Sequence, residues 1–135
     1  LALKQLLGIA GTALGVDAVR NGECVGIDLD EKHILALIAG QPARIVVTVI
    51  GGQGYLFGRG NQQFSPRVIR EVGDDNIIVV SSLEKLVALP TQALLVDTGD
   101  DDLDRELVGH REVLVGASRT VVMPVKVFVD DVGID

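Results

Sequence analysis

A glycine-rich stretch after an apolar run has the clearest capacity for chemistry. Residues 51–63 read Gly-Gly-Gln-Gly-Tyr-Leu-Phe-Gly-Arg-Gly-Asn-Gln-Gln. Glycine lets the backbone bend sharply and lets a ligand approach closely, and successive N–H groups in such a turn can bind an anion. The spacing is neither that of the Walker A motif, which ends in Gly-Lys-Ser/Thr, nor that of the dinucleotide fingerprint. A tight structural turn is the alternative interpretation.

Polar side chains in this stretch supply groups that could read a nucleotide. The neutral amides are Gln53, Asn61, Gln62 and Gln63. Amides of this kind hydrogen-bond to ribose hydroxyls or base edges, and Arg59, the only positive charge in the stretch, suits a phosphate. We therefore predict that the working surface of the chain is the loop from Gly51 to Gly60, with residues 61–63 beside it.

Two acidic features are weaker candidates. The run Asp97-Thr98-Gly99-Asp100-Asp101-Asp102 follows a predicted strand, where it would bind Mg²⁺ or a hydroxyl. The run also fits a helix N-cap with an acidic first turn, which is the interpretation we favour. Asp17 interrupts an apolar run and would either bind a ribose hydroxyl or occupy the polar face of an alternating strand, and the sequence leaves both open.

The remaining reactive side chains show no pattern that indicates a site. His33 and His110 have no ligand-like spacing, and we expect both at the surface. Cys24 has no visible base partner, so we interpret it as a small core residue. We predict no metal site and no Ser/His/Asp arrangement.

Composition narrows the class of protein. The 135 residues suffice for one domain, and with 3% aromatic residues, stacking on bases is a poor binding mode. A formal net charge of -7 argues against binding to nucleic acid or to an anionic membrane. No apolar run is long enough to cross a membrane. A single cysteine excludes an internal disulfide and fits a reducing, cytoplasmic setting.

Apolar periodicity and chain breakers predict a mixed α/β domain, rich in hairpins in its first half and alternating between helix and strand in its second. Asn21-Gly22 is a hairpin signal. The predicted strands are 12–20, 23–28, 44–50, 76–80, 93–96, 110–115 and 119–129. Three predicted helices begin after the caps Asp30, Ser65 and Ser82, and a fourth spans Asp101 to Val108 with acidic residues at its start. The continuous apolar strand 44–50 should be buried on both faces.

Residues 48–66 carry a family resemblance. The block Thr-Val-Ile-Gly-Gly-Gln-Gly-Tyr-Leu-Phe-Gly-Arg-Gly-Asn-Gln-Gln-Phe-Ser-Pro resembles the signature of ATP-NAD kinase-like proteins of the AcoX type. Blocks at 14–19, 79–86 and 94–100 resemble other parts of the same group, so the resemblance extends over about residues 12–115.

The resemblance implies which residues hold the nucleotide. NAD kinases proper have a segment like Thr-Pro-Thr-Gly-Ser-Thr-Ala-Tyr at the place of residues 48–55, in the C-terminal domain that helps to hold NAD. Thr48, Gly51 and Tyr55 fit that pattern, whereas Val49 replaces the proline and Gly52-Gln53-Gly54 replaces Ser-Thr-Ala. The family's Asn-Glu/Asp substrate motif falls near Val16-Asp17, which carries Asp17 over as a ribose contact.

The family's Gly-Gly-Asp-Gly motif, which binds ATP phosphates and supplies the central aspartate, is absent from these 135 residues. Gln53 in Gly51-Gly52-Gln53-Gly54 cannot act as a general base, so no catalytic residue is assigned. The absence agrees with a chain that begins at Leu1 rather than Met. We expect the C-terminal part of a two-domain kinase, in which ATP and Mg²⁺ belong to the full-length protein. We expect this part alone to be inactive.

The implied reaction transfers the terminal phosphoryl of ATP, or of another phosphate donor, to a hydroxyl such as the 2′-OH of NAD. The expected partners are NAD or a related nucleotide, the missing N-terminal domain and further copies of the chain in a homo-oligomer. Two alternatives stay open: a non-catalytic nucleotide-sensing module associated with catabolism, and a purely structural oligomerisation domain.

Overall fold

The computed structural model describes residues 15–49, 52–58 and 64–127. These residues form eight strands and four α-helices, which confirms the predicted mixed α/β class. In chain order the elements are β1 (Ala18–Arg20), β2 (Glu23–Gly26), α1 (Glu31–Ile38), β3 (Ile45–Thr48), β4 (Tyr55–Phe57), α2 (Pro66–Val72), a 3₁₀ turn (Asp74–Asn76), β5 (Ile77–Val80), α3 (Leu83–Val87), β6 (Leu94–Val96), α4 (Asp101–Leu107), β7 (Gly109–Gly116) and β8 (Arg119–Val127).

The first two strands form a separate small hairpin, as predicted. β1 and β2 are antiparallel, and the turn residues Asn21 and Gly22 have φ angles of 52° and 80°. A type I′ turn requires positive φ at both positions. Cys24 lies exposed on β2, so its interpretation as a core residue is wrong. The hairpin is too small and too exposed to bury it.

Three helices begin at the predicted caps, and the fourth is capped by Asp100, within the predicted acidic run. The side chains of Asp30, Ser65, Ser82 and Asp100 each accept a hydrogen bond from the backbone N–H three residues later. These bonds satisfy N–H groups that the first turn of a helix leaves unpaired. Pro66 begins α2, where its missing N–H costs nothing.

The main sheet has six strands in the order β3-β5-β7-β8-β6-β4. β3, β5 and β7 are parallel to one another, and so are β4, β6 and β8. The two sets are antiparallel and meet at the β7–β8 hairpin. Each strand of the sheet therefore runs opposite to the one before it in sequence, so the connections lie alternately at one end of the sheet and at the other.

β3 departs from the sequence prediction. It was expected to be buried on both faces, but Ile45 and Val47 are buried whereas Val46 and Thr48 are exposed. The reason is its position, because β3 is an edge strand of the sheet and packs only one face against the core. An apolar run alone does not distinguish an edge strand of this kind from a central one.

The length of the β3–β4 connection indicates a curled sheet. β3 and β4 are its two edge strands, yet only residues 49–54 separate them in the chain. A flat sheet of this width measures about 24 Å between its edges, which is nearly the full extension of about 25 Å for a connection of this length. The connection includes a turn at residues 52–54, so the edges must approach each other. Val49 and Leu56 accordingly belong to one buried cluster.

The connections between strands lie at two opposite ends of the six-stranded sheet. We call the end with the connections 49–54, 81–93 and 117–118 the glycine-turn end. The other, which includes residues 64–76 and 97–108, we call the acidic end. Residues 64–76 and 97–108 together contain nine acidic and three basic side chains. The connections at the glycine-turn end contain Glu84 and Lys85 as their only charged residues, and Arg119 begins β8 there.

Candidate functional site

The glycine-rich stretch divides into an exposed turn and a buried strand. Gly52 and Gln53 are exposed, whereas residues 54–58 are buried. The expectation of a loop throughout is wrong for Tyr55–Phe57, which form β4 and pair with β6. Their side chains are at most 3% exposed. Large apolar side chains drive this short segment into the core, in spite of the glycines on either side.

Two of the glycines have structural roles. Gly54 has φ of 90°, and a Cβ there would lie 2.9 Å from the Leu89 side chain and 3.1 Å from the carbonyl oxygen of Ala93. Gly58 has φ of 92°, and its Cβ would overlap the carbonyl group of Asp97. Left-handed backbone and close approach both demand glycine. The need for a tight turn therefore explains glycine at these two positions without any ligand.

The exposed turn is different. A Cβ added at Gly52 would meet no atom within 4 Å. Within the described part of the chain, no hydrogen bond satisfies the backbone N–H of Gly52 or of Gln53. Such N–H groups are open to a ligand, and consecutive ones form an anion-binding concavity. Within the described part of the predicted surface, Gly52 and Gln53 are therefore the accessible residues.

A lysine contacts the connection that carries the turn. The Lys85 ammonium group donates a hydrogen bond of 2.7 Å to the carbonyl oxygen of Val49, two residues before the glycine-rich stretch. The sequence pattern gives Lys85 no role beyond its place in the family block at residues 79–86. Its one local signal was a position in the first turn of a capped helix, and the link to Val49 depends on the order of the strands.

The other predicted binding residues are dispersed or lie outside the described residues. Thr48 is exposed at the end of β3, before the turn, and Tyr55 is buried after it. The structure does not describe Gly51, Arg59, Asn61, Gln62 or Gln63.

Asp17 lies away from the glycine turn. It lines a largely apolar cavity of about 750 Å³ between the β1–β2 hairpin, α1, the first half of β3 and α2. Neither Thr48 nor any residue of 52–55 lines that cavity. Asp17 Oδ1 accepts a 2.9 Å hydrogen bond from the N–H of Asp28, which ties the two arms of the hairpin together. The ribose contact implied for Asp17 stays a prediction.

The acidic run begins α4, as the favoured interpretation predicted. Asp100 Oδ1 accepts from the N–H of Leu103 at 3.1 Å. Its carboxylate also pairs with the Arg70 guanidinium, through two hydrogen bonds. The side-chain hydrogen bond with Arg70, followed by the bond from Leu103, lowers the pKa of Asp100 to about 2. Asp100 is thus an ionised cap that connects α4 to α2.

A buried carboxylate supports the same segment. Asp104 is 3% exposed, and its Oδ1 accepts from the Thr98 backbone N–H at 2.9 Å and from the Thr98 hydroxyl at 2.6 Å. The Thr98 hydroxyl in turn accepts from the N–H of Asp100 at 3.2 Å. These bonds compensate for burying the charge. The run is held by its own protein contacts, which do not form a Mg²⁺ site.

The described ranges contain no group of three or more His, Cys, Asp or Glu side chains arranged to hold a metal ion. His33 and His110 are both exposed, as expected, and His33 Nδ1 lies 2.5 Å from Asp30 Oδ1. None of the helices in these ranges has the length and apolar character needed to span a bilayer.

The fold and the turn define a class of domain, namely a mixed α/β unit that offers open backbone N–H groups after a strand, where α/β proteins often place ligands. Comparison with known families identifies the particular one. The family model of the ATP-NAD kinase C-terminal domain matches residues 2–125, and the chain belongs to that family. It is therefore a kinase-like phosphotransferase domain. No match was found among curated proteins or solved structures.

Proposed function

We propose that this domain holds the acceptor of a phosphoryl transfer at its glycine-turn end. The proposed acceptor is NAD, with the 2′-hydroxyl of its adenosine ribose receiving the phosphoryl, and the proposed branch of the family is the AcoX type. The observation that carries the proposal is the exposed pair Gly52-Gln53, whose N–H groups have no partner within the described residues. Membership of the family supports the reaction class.

The distribution of charge favours the same end of the sheet. A dinucleotide carries negative charge on its phosphates, and an acidic surface repels it. Residues 97–108 alone contain six acidic side chains and one basic one. The exposed turn has no acidic side chain in its own connection, and Lys85 contacts that connection at Val49. An anion therefore meets less repulsion at the glycine turn than at the other end.

The role of this chain in the reaction would be to position the acceptor nucleotide. Phosphoryl transfer depends on alignment and charge stabilisation more than on covalent participation by the protein. The N–H groups of the turn would fix the phosphates, and the Gln53 amide would hydrogen-bond to a ribose or base edge. The described residues do not fit Mg²⁺, so ATP and its metal ion would be held by residues outside them, where the family has its Gly-Gly-Asp-Gly motif.

Several residues of the proposed site come from the family resemblance alone. Gly51, Arg59 and the amides 61–63 stay proposed for nucleotide binding on the resemblance alone. Thr48 and Tyr55, on either side of the turn, are proposed for nucleotide binding, and the Tyr55 side chain is 3% exposed. Asp17 is proposed for a ribose hydroxyl. We also propose a cytoplasmic homo-oligomer, which sedimentation of the purified protein would test.

Turnover tests the proposal. The protein in its natural length, incubated with ATP, Mg²⁺ and NAD, should form NADP and ADP in equal amounts. The 135-residue chain alone should bind NAD without turnover, because it has no Gly-Gly-Asp-Gly motif. Binding without turnover by the natural-length protein would favour the sensing module instead. Calorimetry that detects no binding of NAD, NADP or ATP would leave only a structural role.

A further inference from the structure

We propose that Lys85 is a phosphate-binding residue of this domain. Its ammonium group would stay on the carbonyl oxygen of Val49 and donate its other N–H bonds to a phosphate at the Gly52-Gln53 turn. This inference rests on the proposed function and adds a named cation to that site.

Lys85 is held in place at its backbone and at its ammonium group. Lys85 belongs to α3, which Ser82 caps by accepting from the Lys85 backbone N–H at 3.2 Å and which buries Leu86 to 2% exposure. The 2.7 Å bond to Val49 fixes the other end, and Val49 is itself only 1% exposed. A lysine ammonium has three donors and no acceptor, so one bond to a carbonyl leaves further donors available.

Lys85 differs from three arginines at the acidic end. Arg70 pairs with Asp100, Arg105 with Asp102 and Arg111 with Asp74. Over the ranges that the structure describes, no carboxylate lies within ion-pair distance of Lys85. The residue is exposed, so an anionic ligand can reach it. A cation that contacts only a neutral carbonyl keeps its capacity to bind a phosphate.

A purely structural clamp on Val49 would produce the same hydrogen bond, and binding measurements separate the two roles. We would titrate the 135-residue chain and its variants with NAD and with adenosine, which has no phosphate. Lys85→Gln should weaken NAD binding about 10- to 100-fold, the range expected when a hydrogen bond to a charged group is lost. Adenosine binding should change less than about 2-fold, and Lys85→Arg should restore most of the affinity for NAD.

Two matched controls come from the same chain. Lys126→Gln removes an exposed lysine from the far part of β8 and should leave NAD affinity unchanged. Arg119→Gln removes the other cation of the glycine-turn end and should have a smaller effect than Lys85→Gln. Circular dichroism and thermal unfolding would verify that every variant is folded.

A labelling experiment needs no variant at all. The chain has four lysines, Lys4, Lys32, Lys85 and Lys126. Mass spectrometry after acetylation should show that NAD protects Lys85 but not Lys126.

The outcomes distinguish this inference from the proposal on which it rests. If the wild-type chain binds NAD but neither Lys85→Gln nor acetylation shows the expected difference, only the role of Lys85 is overturned. Equal losses of affinity for NAD and adenosine would also overturn it, in favour of the structural clamp. If the wild-type chain binds none of these ligands, the proposed function fails, and the inference with it.

Discussion

The two ends of the six-stranded sheet use their charged groups in opposite ways. At the acidic end, arginines pair with carboxylates of the same region, and the buried Asp104 binds Thr98. At the glycine-turn end, Lys85 binds a backbone carbonyl and the Gly52-Gln53 turn is exposed. The acidic end pairs three of its arginines with carboxylates, whereas the glycine-turn end leaves donors available to a ligand.

This difference teaches where to look for function in an acidic domain. Density of charge is a poor guide, because the Asp97–Asp102 run attracts attention in the sequence and has its main contacts within the protein. Donors without a protein partner are a better guide, because they can hydrogen-bond to a ligand. We expect substitutions at the acidic end to change stability and substitutions at the glycine-turn end to change binding.

The largest expected effect compares two glycines of the same stretch. Gly58→Ala should lower the free energy of unfolding by at least about 3 kcal/mol, because it combines unfavourable φ with an overlap on the Asp97 carbonyl. Gly52→Ala should cost about 1 kcal/mol or less, since its Cβ would enter open space. Urea unfolding of both variants measures the difference. Equal costs would contradict the division of the stretch into turn and strand.

A smaller effect is expected at the buried carboxylate. Asp104→Ala leaves two donors of Thr98 without their acceptor, so it should lower the free energy of unfolding by about 2–3 kcal/mol. Glu106→Ala changes an exposed acidic residue of the same helix and should stay within about 0.5 kcal/mol of the wild type. NAD affinity should be the same in both variants. A selective loss of NAD binding in Asp104→Ala would place ligand at the wrong end for our account.

The smallest effect is a pH dependence. Because the pKa of Asp100 is about 2 in the folded state and 3.8 ordinarily, its pairing stabilises the fold fully above about pH 4. That contribution is lost as the pH falls through about 2. Asp100→Asn keeps a cap acceptor but removes the charge. Its melting temperature should therefore lie below that of the wild type by a constant interval near neutral pH, and the interval should shrink below pH 4.

Thermal scans between pH 2 and 7 measure that interval. Asp101→Asn is the matched control, because Asp101 is an exposed acidic residue in the first turn of the same helix. An interval for Asp100→Asn that is independent of pH would refute the stabilising ion pair with Arg70.

Local signals predicted much of the fold, and contacts between distant residues account for the rest. The caps at Ser65 and Ser82 and the Asn21-Gly22 turn were predicted because each depends on a few neighbouring residues. β4 was missed because three residues between glycines are too few to show a period.

The sequence predicted only part of the site, because the rest also depends on contacts between distant residues. The glycine turn was identified by composition. The proximity of Lys85 to Val49 follows from the strand order of the sheet, since β3 and β5 are parallel neighbours whose ends lie side by side. The position of Asp17, on a hairpin outside the main sheet, likewise could not be inferred from its apolar surroundings in the sequence.

The most direct test of the account is an NMR titration of the ¹⁵N-labelled chain with NAD. If the glycine-turn end holds the nucleotide, the amide signals of Gly52, Gln53 and Lys85 should shift with a single saturable dissociation constant, while those of Asp100 to Asp104 stay in place. Shifts confined to residues 97–104, or no shifts at any NAD concentration, would contradict it.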